Sequence, residues 1–140
     1  MNPGKNTAQR VLIVDDNPVI VEAIATELNL AGYETLGATG GADAIALVQK
    51  EKPDLIVLDL NFPPDRNGEV WDGYRIMDHL RRMKESRTIP IITMTGFPDS
   101  LDMERNLDAG AVGFLYKPLD HDELLRLVRG VLGAPVRMAA

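Results

Sequence analysis

Cysteine is absent from the 140-residue chain, which excludes disulfide bonds, thiolate metal sites and cysteine nucleophiles. An excess of basic residues is also lacking, because 21 acidic residues outnumber 15 Lys and Arg residues and give a formal charge of −6. This balance argues against a domain that binds nucleic acid directly. No apolar run approaches the ~18–20 residues of a membrane span, and the polar residues 1–10 lack the apolar core of a secretory signal. We therefore expect a cytoplasmic protein without a membrane partner.

The chain contains five short apolar runs instead of long ones. They occupy residues 11–14, 33–38, 55–58, 89–94 and 112–116. The first, third and fourth runs are nearly continuous in Val, Ile and Leu, which is typical of strands buried on both faces of a parallel sheet. The second run is more mixed in composition and predicts a strand at the edge of that sheet.

The segments between these runs carry apolar residues at three- or four-residue steps, which predicts helices. Asn17 and Pro18 supply start signals for the first helix, and Gly32 supplies its end. Residues 99–109 give the weakest helical pattern. The βαβαβαβαβα order predicts an α/β domain with a parallel sheet covered by helices on both faces. We expect this domain to span residues 10–133, between flexible tails at 1–9 and 134–140.

Polar side chains follow four of the predicted strands. Asp15 and Asp16 end the first strand, Asp59 the third, Thr95 the fourth and Lys117 the fifth. Ligands of open α/β sheets bind at the carboxyl ends of the strands, so we expect these side chains to converge. Three close carboxylates need a counter-charge, and Mg²⁺ prefers such oxygen ligands. A carboxylate beside Mg²⁺ can attack phosphorus while a lysine and a hydroxyl neutralise the phosphoryl oxygens.

A structural explanation is open for each of these residues taken alone. Asp15 and Asp16 precede Asn17 and Pro18, and that sequence begins a helix well without any metal. The joint occurrence of all the polar groups at strand ends is what favours a site for phosphoryl chemistry.

The same residues lie in motifs that resemble the receiver domain of two-component response regulators. The motifs are VLIVDD at 11–16, PDLIVLDL at 53–60, Pro63, Asp72-Gly73, PIITMTG at 90–96 and AGAVGFLYKP at 109–118. The resemblance covers residues 10 to about 132. It implies a flavodoxin-like (βα)5 fold, with a doubly wound, five-stranded parallel sheet of strand order 2-1-3-4-5.

The resemblance also implies a role for each site residue. Asp59 would be the phosphoacceptor, Thr95 the switch hydroxyl and Lys117 the partner of the phosphate. Phe114 falls at the position of the aromatic switch. The bond between Lys117 and Pro118 matches one that is usually cis in the family.

A metal site is implied at the same place. Asp15, Asp16 and Asp59 would hold Mg²⁺, or Mn²⁺ as its substitute, together with the backbone carbonyl of Asn61. Asp16 would be a direct ligand, and Asp15 would act mainly through metal-bound water.

The function implied by the resemblance is a signalling switch that phosphorylation activates. A histidine kinase or phosphotransfer protein would phosphorylate Asp59, and the chain would catalyse only its own phosphorylation and dephosphorylation. Segment 99–109, the fifth strand and the last helix would form the face that signals to a downstream protein target, or to a second copy in a phosphorylation-dependent homodimer. Two alternatives stay open: a receiver-like interaction module that is never phosphorylated, and a small phosphohydrolase that forms an aspartyl phosphate.

The loop after Asp59 departs from the family pattern. Asp72 lies nine positions after Pro63 instead of three, which amounts to an insertion of six residues. This insertion is either a neutral lengthening of a surface loop or a recognition element for a partner. Asn61 and Phe97 fall at positions that tune phosphoryl lifetime in the family, and a bulky Phe97 is expected to shield the phosphoryl group from water.

Overall fold

A computed structural model describes residues 8–62, 68, 72–96 and 108–134, and the fold is given for these residues. Within them, five parallel strands form one sheet in the order β2-β1-β3-β4-β5. The strands are β1 Arg10–Val14, β2 Glu34–Ala38, β3 Leu55–Asp59, β4 Ile91–Thr95 and β5 Gly113–Tyr116. The helices are α1 Pro18–Leu30, α2 Gly41–Glu51, α3 Gly73–Arg82 and α4 His121–Leu132. The predicted fold class and strand order are confirmed.

The central strands are buried because helices cover both faces of the sheet. In β1, Leu12 and Val14 face one layer while Val11 and Ile13 face the other. Helices α2 and α3 pack on the first face, and α1 and α4 pack on the second. All four of these β1 side chains are fully buried, and burial of a side chain of this size stabilises the fold by about 1.5–3 kcal/mol. The more mixed β2 lies at an edge, as predicted.

Local signals set both ends of α1. The side chain of Asn17 accepts a hydrogen bond from the backbone N–H of Val19 at 3.0 Å, as expected of an N-cap. At the other end, Gly32 has a φ of 104°, a conformation that favours glycine. The N–H groups of Gly32 and of the residue after it donate to the carbonyls of Asn29 and Leu28, which closes the helix. The cap at Asn17 places the start of α1 directly after β1, at the carboxyl end of the sheet.

Three strands begin later than the apolar runs suggest, and for β2 the difference is one residue, since it begins at Glu34 and the run at residue 33. The runs predict strands over residues 89–94 and 112–116, whereas β4 begins at Ile91 and β5 at Gly113. Ile89 lies in a turn, where its N–H donates to the carbonyl of Ser86, and the proline that follows has no N–H for the sheet. Val112 is 54% exposed, so its apolar side chain belongs to the approach to an edge strand and not to the core.

Several predicted features lie outside the described residues. The predicted helix at 99–109 is described only at its last two residues, and Phe97 is not described. The motif residue Pro63 is not described, and the insertion between Pro63 and Asp72 is described only at Gly68. Residues 1–7 and 135–140 of the predicted tails are also outside. Among the helices that the structure does describe, none is long and apolar enough to cross a membrane.

Candidate functional site

The carboxyl ends of β1, β3, β4 and β5 lie side by side at one edge of the sheet. Val14 of β1 is in register with Leu58 of β3, and Thr95 of β4 with Tyr116 of β5. Residues that follow these strands therefore reach the same place. The predicted site residues that meet there are Asp15, Asp16, Asp59, Asn61, Thr95 and Lys117.

Three carboxylates form the centre of this site. One oxygen from each of Asp15, Asp16 and Asp59 lies within 4.8 Å of the other two. Asp15 and Asp59 are buried, whereas Asp16 is exposed at the rim. Within the described part of the chain, Asp59 Oδ2 is buried without a hydrogen-bond partner. The cluster can hold a metal ion, because an unpartnered buried oxygen needs a ligand and an all-oxygen donor set suits a hard divalent cation.

Lys117 is the cation that the protein itself supplies to this cluster. Its Nζ lies 2.7 Å from Asp15 Oδ2 and 3.3 Å from Asp59 Oδ1. Burial by itself would lower the pKa of Lys117, but the hydrogen bond to Asp15 and the charges of both carboxylates outweigh it and raise that pKa. The lysine therefore stays protonated and joins the first and third strands electrostatically. The pairing with Asp15 was not predicted, since sequence places Lys117 near the cluster without choosing its partner.

Asp59 is the carboxylate whose acidity the site changes most clearly. Burial raises its pKa from 3.8 to about 6. The hydrogen bond from the backbone N–H of Asn61 lowers the pKa, the charge of Asp15 raises it, and Lys117 lowers it. At neutral pH the group is still ionised, but it is poorly solvated and more basic than an ordinary aspartate. Such a carboxylate is a candidate nucleophile or ligand.

Asp15 is held from two sides. Its Oδ1 accepts a hydrogen bond from the backbone N–H of Asn17 at 2.9 Å, and its Oδ2 accepts from Lys117. Both oxygens are therefore engaged by protein groups at the junction of β1 and α1. Asp16, by contrast, points its carboxylate to the exposed rim of the same cluster.

Asn61 and Thr95 form a second connection across the site. Thr95 Oγ1 donates a hydrogen bond to Asn61 Oδ1 at 2.9 Å, and the backbone N–H of Asn61 donates to Asp59 Oδ1 at 3.2 Å. Thr95 is buried, whereas Asn61 is largely exposed. From the resemblance, the sequence predicted a metal-ligand role for the backbone carbonyl of Asn61 and an effect of this position on phosphoryl lifetime, but no contact of its side chain with Thr95. Its position after β3, beside the end of β4, makes the contact plausible in retrospect, but the side-chain rotamer is not encoded in any motif.

Phe114 lies on the edge strand β5. It is in register with Thr93 of β4 and so lies on the same face of the sheet as Thr95, two residues further along that strand. Its ring packs edge-to-face against Tyr116, with ring centres 5.0 Å apart and an interplanar angle of 86°. Tyr116 is 42% exposed and was not predicted as a site residue. The two rings form an aromatic pair on β5, and Tyr116, which is in register with Thr95, is exposed at the surface.

The start of α3 presses directly against the end of β3. A Cβ atom on Gly73 would lie 2.5 Å from the backbone oxygen of Asp59 and 2.7 Å from Leu60 Cα. The Gly73 N–H donates to the carbonyl of Leu60 at 3.1 Å, and Asp72 caps the helix by accepting from the N–H of Arg75. Glycine is therefore needed here for close approach. On the opposite side of the site, the Lys117-Pro118 bond is cis, as expected from the resemblance.

Comparison with known proteins finds relatives with this same architecture. Residues 11–129 match the family model described as response regulator receiver domain. The chain is 36% identical over 123 residues to the DNA-binding dual master transcriptional regulator RpaA of Synechocystis, which covers 88% of the chain and 48% of that protein. It is 34% identical over 122 residues to the transcriptional regulatory protein KdpE of Mycobacterium tuberculosis, covering 87% of the chain and 50% of the relative. The chain thus spans about half the length of the curated relatives it matches.

Solved structures give the same result. The chemotaxis protein CheY4 of Vibrio cholerae superposes with a TM-score of 0.81 at 30% identity, covering 89% of this chain and 99% of that one. A putative response regulator from Chloroflexus aurantiacus superposes with a TM-score of 0.80 at 31% identity, covering 90% and 98%. The fold and the family match agree over nearly the whole domain. The chain belongs to the response regulator receiver domain family.

Proposed function

We propose that this receiver domain is a switch in two-component signalling that accepts a phosphoryl group on Asp59 from a histidine kinase or a phosphotransfer protein. The observation that carries the proposal is the setting of Asp59. It is a buried carboxylate with one oxygen unpartnered among the described residues, next to two further carboxylates and a protonated lysine. That setting suits a nucleophile toward phosphorus better than a structural acid.

The transfer step would use Asp59 as the nucleophile. An oxygen of ionised Asp59 attacks the phosphorus while the bond from phosphorus to the donor nitrogen, or to the oxygen of an acyl phosphate, breaks. The bonding electron pair leaves with the donor, and the product is an aspartyl phosphate. Lys117 would neutralise the equatorial oxygens of the phosphoryl group, and the hydroxyl of Thr95 would join it after moving away from Asn61. Because the pKa of Asp59 is about 6, the required ionised form predominates at neutral pH.

The acidic cluster fits a divalent metal cofactor, and we assign Mg²⁺, with Mn²⁺ as a substitute. Asp15, Asp16, Asp59 and the backbone carbonyl of Asn61 would hold it, and it would supply positive charge for the phosphoryl oxygens. Asp16 is exposed and suits a direct ligand. Both oxygens of Asp15 are engaged by Asn17 and Lys117, which supports a role for Asp15 through metal-bound water.

The output would be a conformational change that another protein reads. Thr95 would move toward the phosphoryl group, and Phe114 and the neighbouring Tyr116 would follow on the edge strand β5. The responding face would comprise β5, α4 and residues 99–109. A downstream protein, or a second copy of the chain, would bind there. The chain would act in the cytoplasm and on no substrate beyond its own phosphoryl group.

Two relatives are named as transcriptional regulators, and regulation of transcription is one output that such a switch would serve. Nucleic-acid binding is not proposed for this acidic domain itself, because its formal charge is −6.

The experiment compares phosphorylation by a small acyl phosphate with Mg²⁺ in the parent, in Asp59→Asn and in the control variant Asp43→Asn. Asp43 is an exposed acid in the first turn of α2, away from the cluster. We expect the parent and Asp43→Asn to be labelled equally and Asp59→Asn to remain unlabelled. Labelling that survives in Asp59→Asn would overturn the proposal. Complete absence of labelling in the parent would favour a receiver-like interaction module, and turnover of a phosphomonoester would favour a phosphohydrolase.

A further inference from the structure

The hydroxyl of Thr95 is already occupied in this structure. It donates its hydrogen bond to Asn61 Oδ1 at 2.9 Å, and Thr95 itself is only 1% exposed. A threonine hydroxyl carries one proton, so it can fully serve one acceptor at a time. The oxygen that holds it belongs to a residue only two positions after the proposed phosphoacceptor, Asp59.

We propose that the side chain of Asn61 is a latch that holds the Thr95 hydroxyl in the unphosphorylated state and competes with the phosphoryl group for its proton. This inference rests on the proposed function and adds a means of regulating it. Asn61 is then a positioning residue, because it acts through Thr95 and not on the reacting atoms. The strength of the latch sets how readily phosphorylation moves the switch.

The difference in burial between the two partners makes the latch reversible. Thr95 is enclosed at the end of β4, so its hydroxyl must find another acceptor when it leaves Asn61. A phosphoryl oxygen on Asp59 would be such an acceptor, and a bond to a charged oxygen is stronger than a bond to a neutral amide. Asn61 is largely exposed, so water can satisfy its released amide oxygen at little cost. The hydrogen bond from Thr95 to the phosphoryl oxygen would therefore replace the one to Asn61, although breaking the bond to Asn61 costs free energy.

The backbone of Asn61 connects the latch to the reaction site. Its N–H donates to Asp59 Oδ1 at 3.2 Å, so the carboxylate that becomes phosphorylated also orients the residue that holds Thr95. Asn61 lies two residues after Asp59, so a change in the charge or position of Asp59 would alter the position of the Asn61 side chain. The latch is thus placed where it can respond to the event that releases it.

The first measurement is the affinity for trifluoroberyllate, a phosphoryl mimic, in the presence of Mg²⁺ by calorimetry. Asn61→Ala removes the competing acceptor and leaves the backbone carbonyl and N–H in place. Because a neutral hydrogen bond opposes the switch in the parent, we expect this variant to bind the mimic about 3- to 10-fold more tightly. The same substitution in a Thr95→Val background should change the affinity by less than about 2-fold, since no hydroxyl is left to release.

A second background and a second readout keep the test decisive. In Thr95→Ser, which retains a hydroxyl, Asn61→Ala should again tighten binding. Without any mimic, the methyl signal of Thr95 in a carbon-detected NMR spectrum should show rotamer averaging in Asn61→Ala, and should match the parent in Asn61→Asp, which keeps an acceptor oxygen.

Equal effects of Asn61→Ala in the Thr95 and Thr95→Val backgrounds, or an unchanged methyl signal, would overturn the latch while leaving the proposed function standing. A parent chain that does not bind trifluoroberyllate at all would overturn the proposed function and the latch with it.

Discussion

At the scale of single residues, the burial of Asp59 affects both the pKa of its carboxyl group and the stability of the fold. Burial raises the pKa of this carboxyl from 3.8 to about 6, so the folded protein holds the proton more tightly than the unfolded chain. The favourable contribution of this protonation is fully present below pH 3.8 and is lost as the pH rises through about 6. The ionised carboxylate therefore opposes folding of the metal-free domain at neutral pH.

Asp59→Asn should consequently stabilise the metal-free domain at pH 7. We expect the free energy of unfolding to rise by about 1–3 kcal/mol, and this gain to shrink toward pH 4, where the parent carboxyl is increasingly protonated. Urea unfolding with a chelator present at both pH values measures it. Asp43→Asn, at an exposed position, should show no comparable gain. A gain for Asp59→Asn that is equal at both pH values would contradict the pKa assigned to Asp59.

Lys117 provides a second prediction at this scale. Lys117→Gln leaves Asp15 and Asp59 without their cation and removes a donor from the phosphoryl oxygens. We expect phosphorylation by an acyl phosphate to slow by about 100-fold or more, the usual effect of removing a charged or oxyanion-stabilising donor. Stopped-time labelling of the intact protein gives the rate. Lys84→Gln, at an exposed position after α3, should react like the parent, and a Lys117 variant that also does so would exclude the lysine from the reaction.

Sequence predicted much of this residue-level picture, and its failures have clear causes. The polar groups at strand ends could be recognised because parallel strands must bring their carboxyl ends to one edge. The bond from Thr95 to Asn61 and the pairing of Lys117 with Asp15 could not be recognised, because each depends on a side-chain rotamer chosen among several oxygens within reach. The exposed edge ring of Tyr116 beside Phe114 was missed for a similar reason, since no motif distinguishes it from a surface tyrosine.

At the scale of elements, the start of α3 lies in close contact with the end of β3, next to the site. Gly73→Ala would place a Cβ 2.5 Å from the backbone oxygen of Asp59, so either the helix or the strand end must shift. We expect a loss of about 1–3 kcal/mol of stability, as for other overpacked positions, together with slower phosphorylation. Chemical denaturation and acyl phosphate labelling measure the two effects.

The matched control is Gly130→Ala, in α4, where an added Cβ meets nothing within 4 Å. It should stabilise the domain by about 0.5–1 kcal/mol, because alanine favours a helix over glycine. Equal effects of the two substitutions would show that the approach of α3 to Asp59 is looser than the structure describes.

Arg81 performs a different task between elements. It lies on α3 and its guanidinium donates to the backbone carbonyls of Arg87, Ile89 and Gly110, at 3.1, 2.8 and 3.2 Å. It thus joins α3 to the turn before β4 and to the approach to β5. Arg81→Met should lower the free energy of unfolding by about 2 kcal/mol, since three carbonyls lose a charged donor. The neighbouring Arg82→Met should cost at most about 0.5 kcal/mol, because Arg82 is 78% exposed and forms a surface ion pair with Asp78 one turn away. Thermal unfolding of both variants measures the two losses of stability.

Elements were predicted well where burial is complete and less well at edges. The runs that became β1 and β3 are apolar throughout because both faces of these central strands are covered, and their bounds differ from the prediction by one residue at most. The starts of β4 and β5 were misplaced at Ile89 and Val112, since an apolar side chain can precede a strand as well as belong to it. The predicted helix at 99–109 stays a prediction.

At the scale of the whole molecule, the order β2-β1-β3-β4-β5 accounts for the position of the site. The direction in which successive strands are added to the sheet reverses between β1 and β3. The loops that leave these two strands therefore diverge and open a crevice. Asp15 follows β1 and Asp59 is the last residue of β3, which places two buried acids at the mouth of the crevice. Topology, and not any local motif, therefore brings together residues that are more than forty positions apart.

A metal bound at this crevice should stabilise the entire fold, because its ligands come from two strands and are assembled only in the native state. Mg²⁺ at about 100 times its Kd should raise the free energy of unfolding by about 2.7 kcal/mol. Asp16→Asn should lose most of this gain, while Asp43→Asn should keep it. Thermal unfolding with Mg²⁺ and with chelator measures the difference, and a stabilisation that Asp16→Asn retains in full would place the ion elsewhere.

Locating the phosphoryl group tests most directly whether Asp59 is the phosphoacceptor. The parent is incubated with a small acyl phosphate, with and without Mg²⁺, and the acid-stable product of borohydride reduction is mapped by peptide mass spectrometry. We expect modification at Asp59 alone, and only when Mg²⁺ is present. Modification at Asp15, Asp16 or any residue outside the cluster, with Asp59 unmodified, would contradict this expectation.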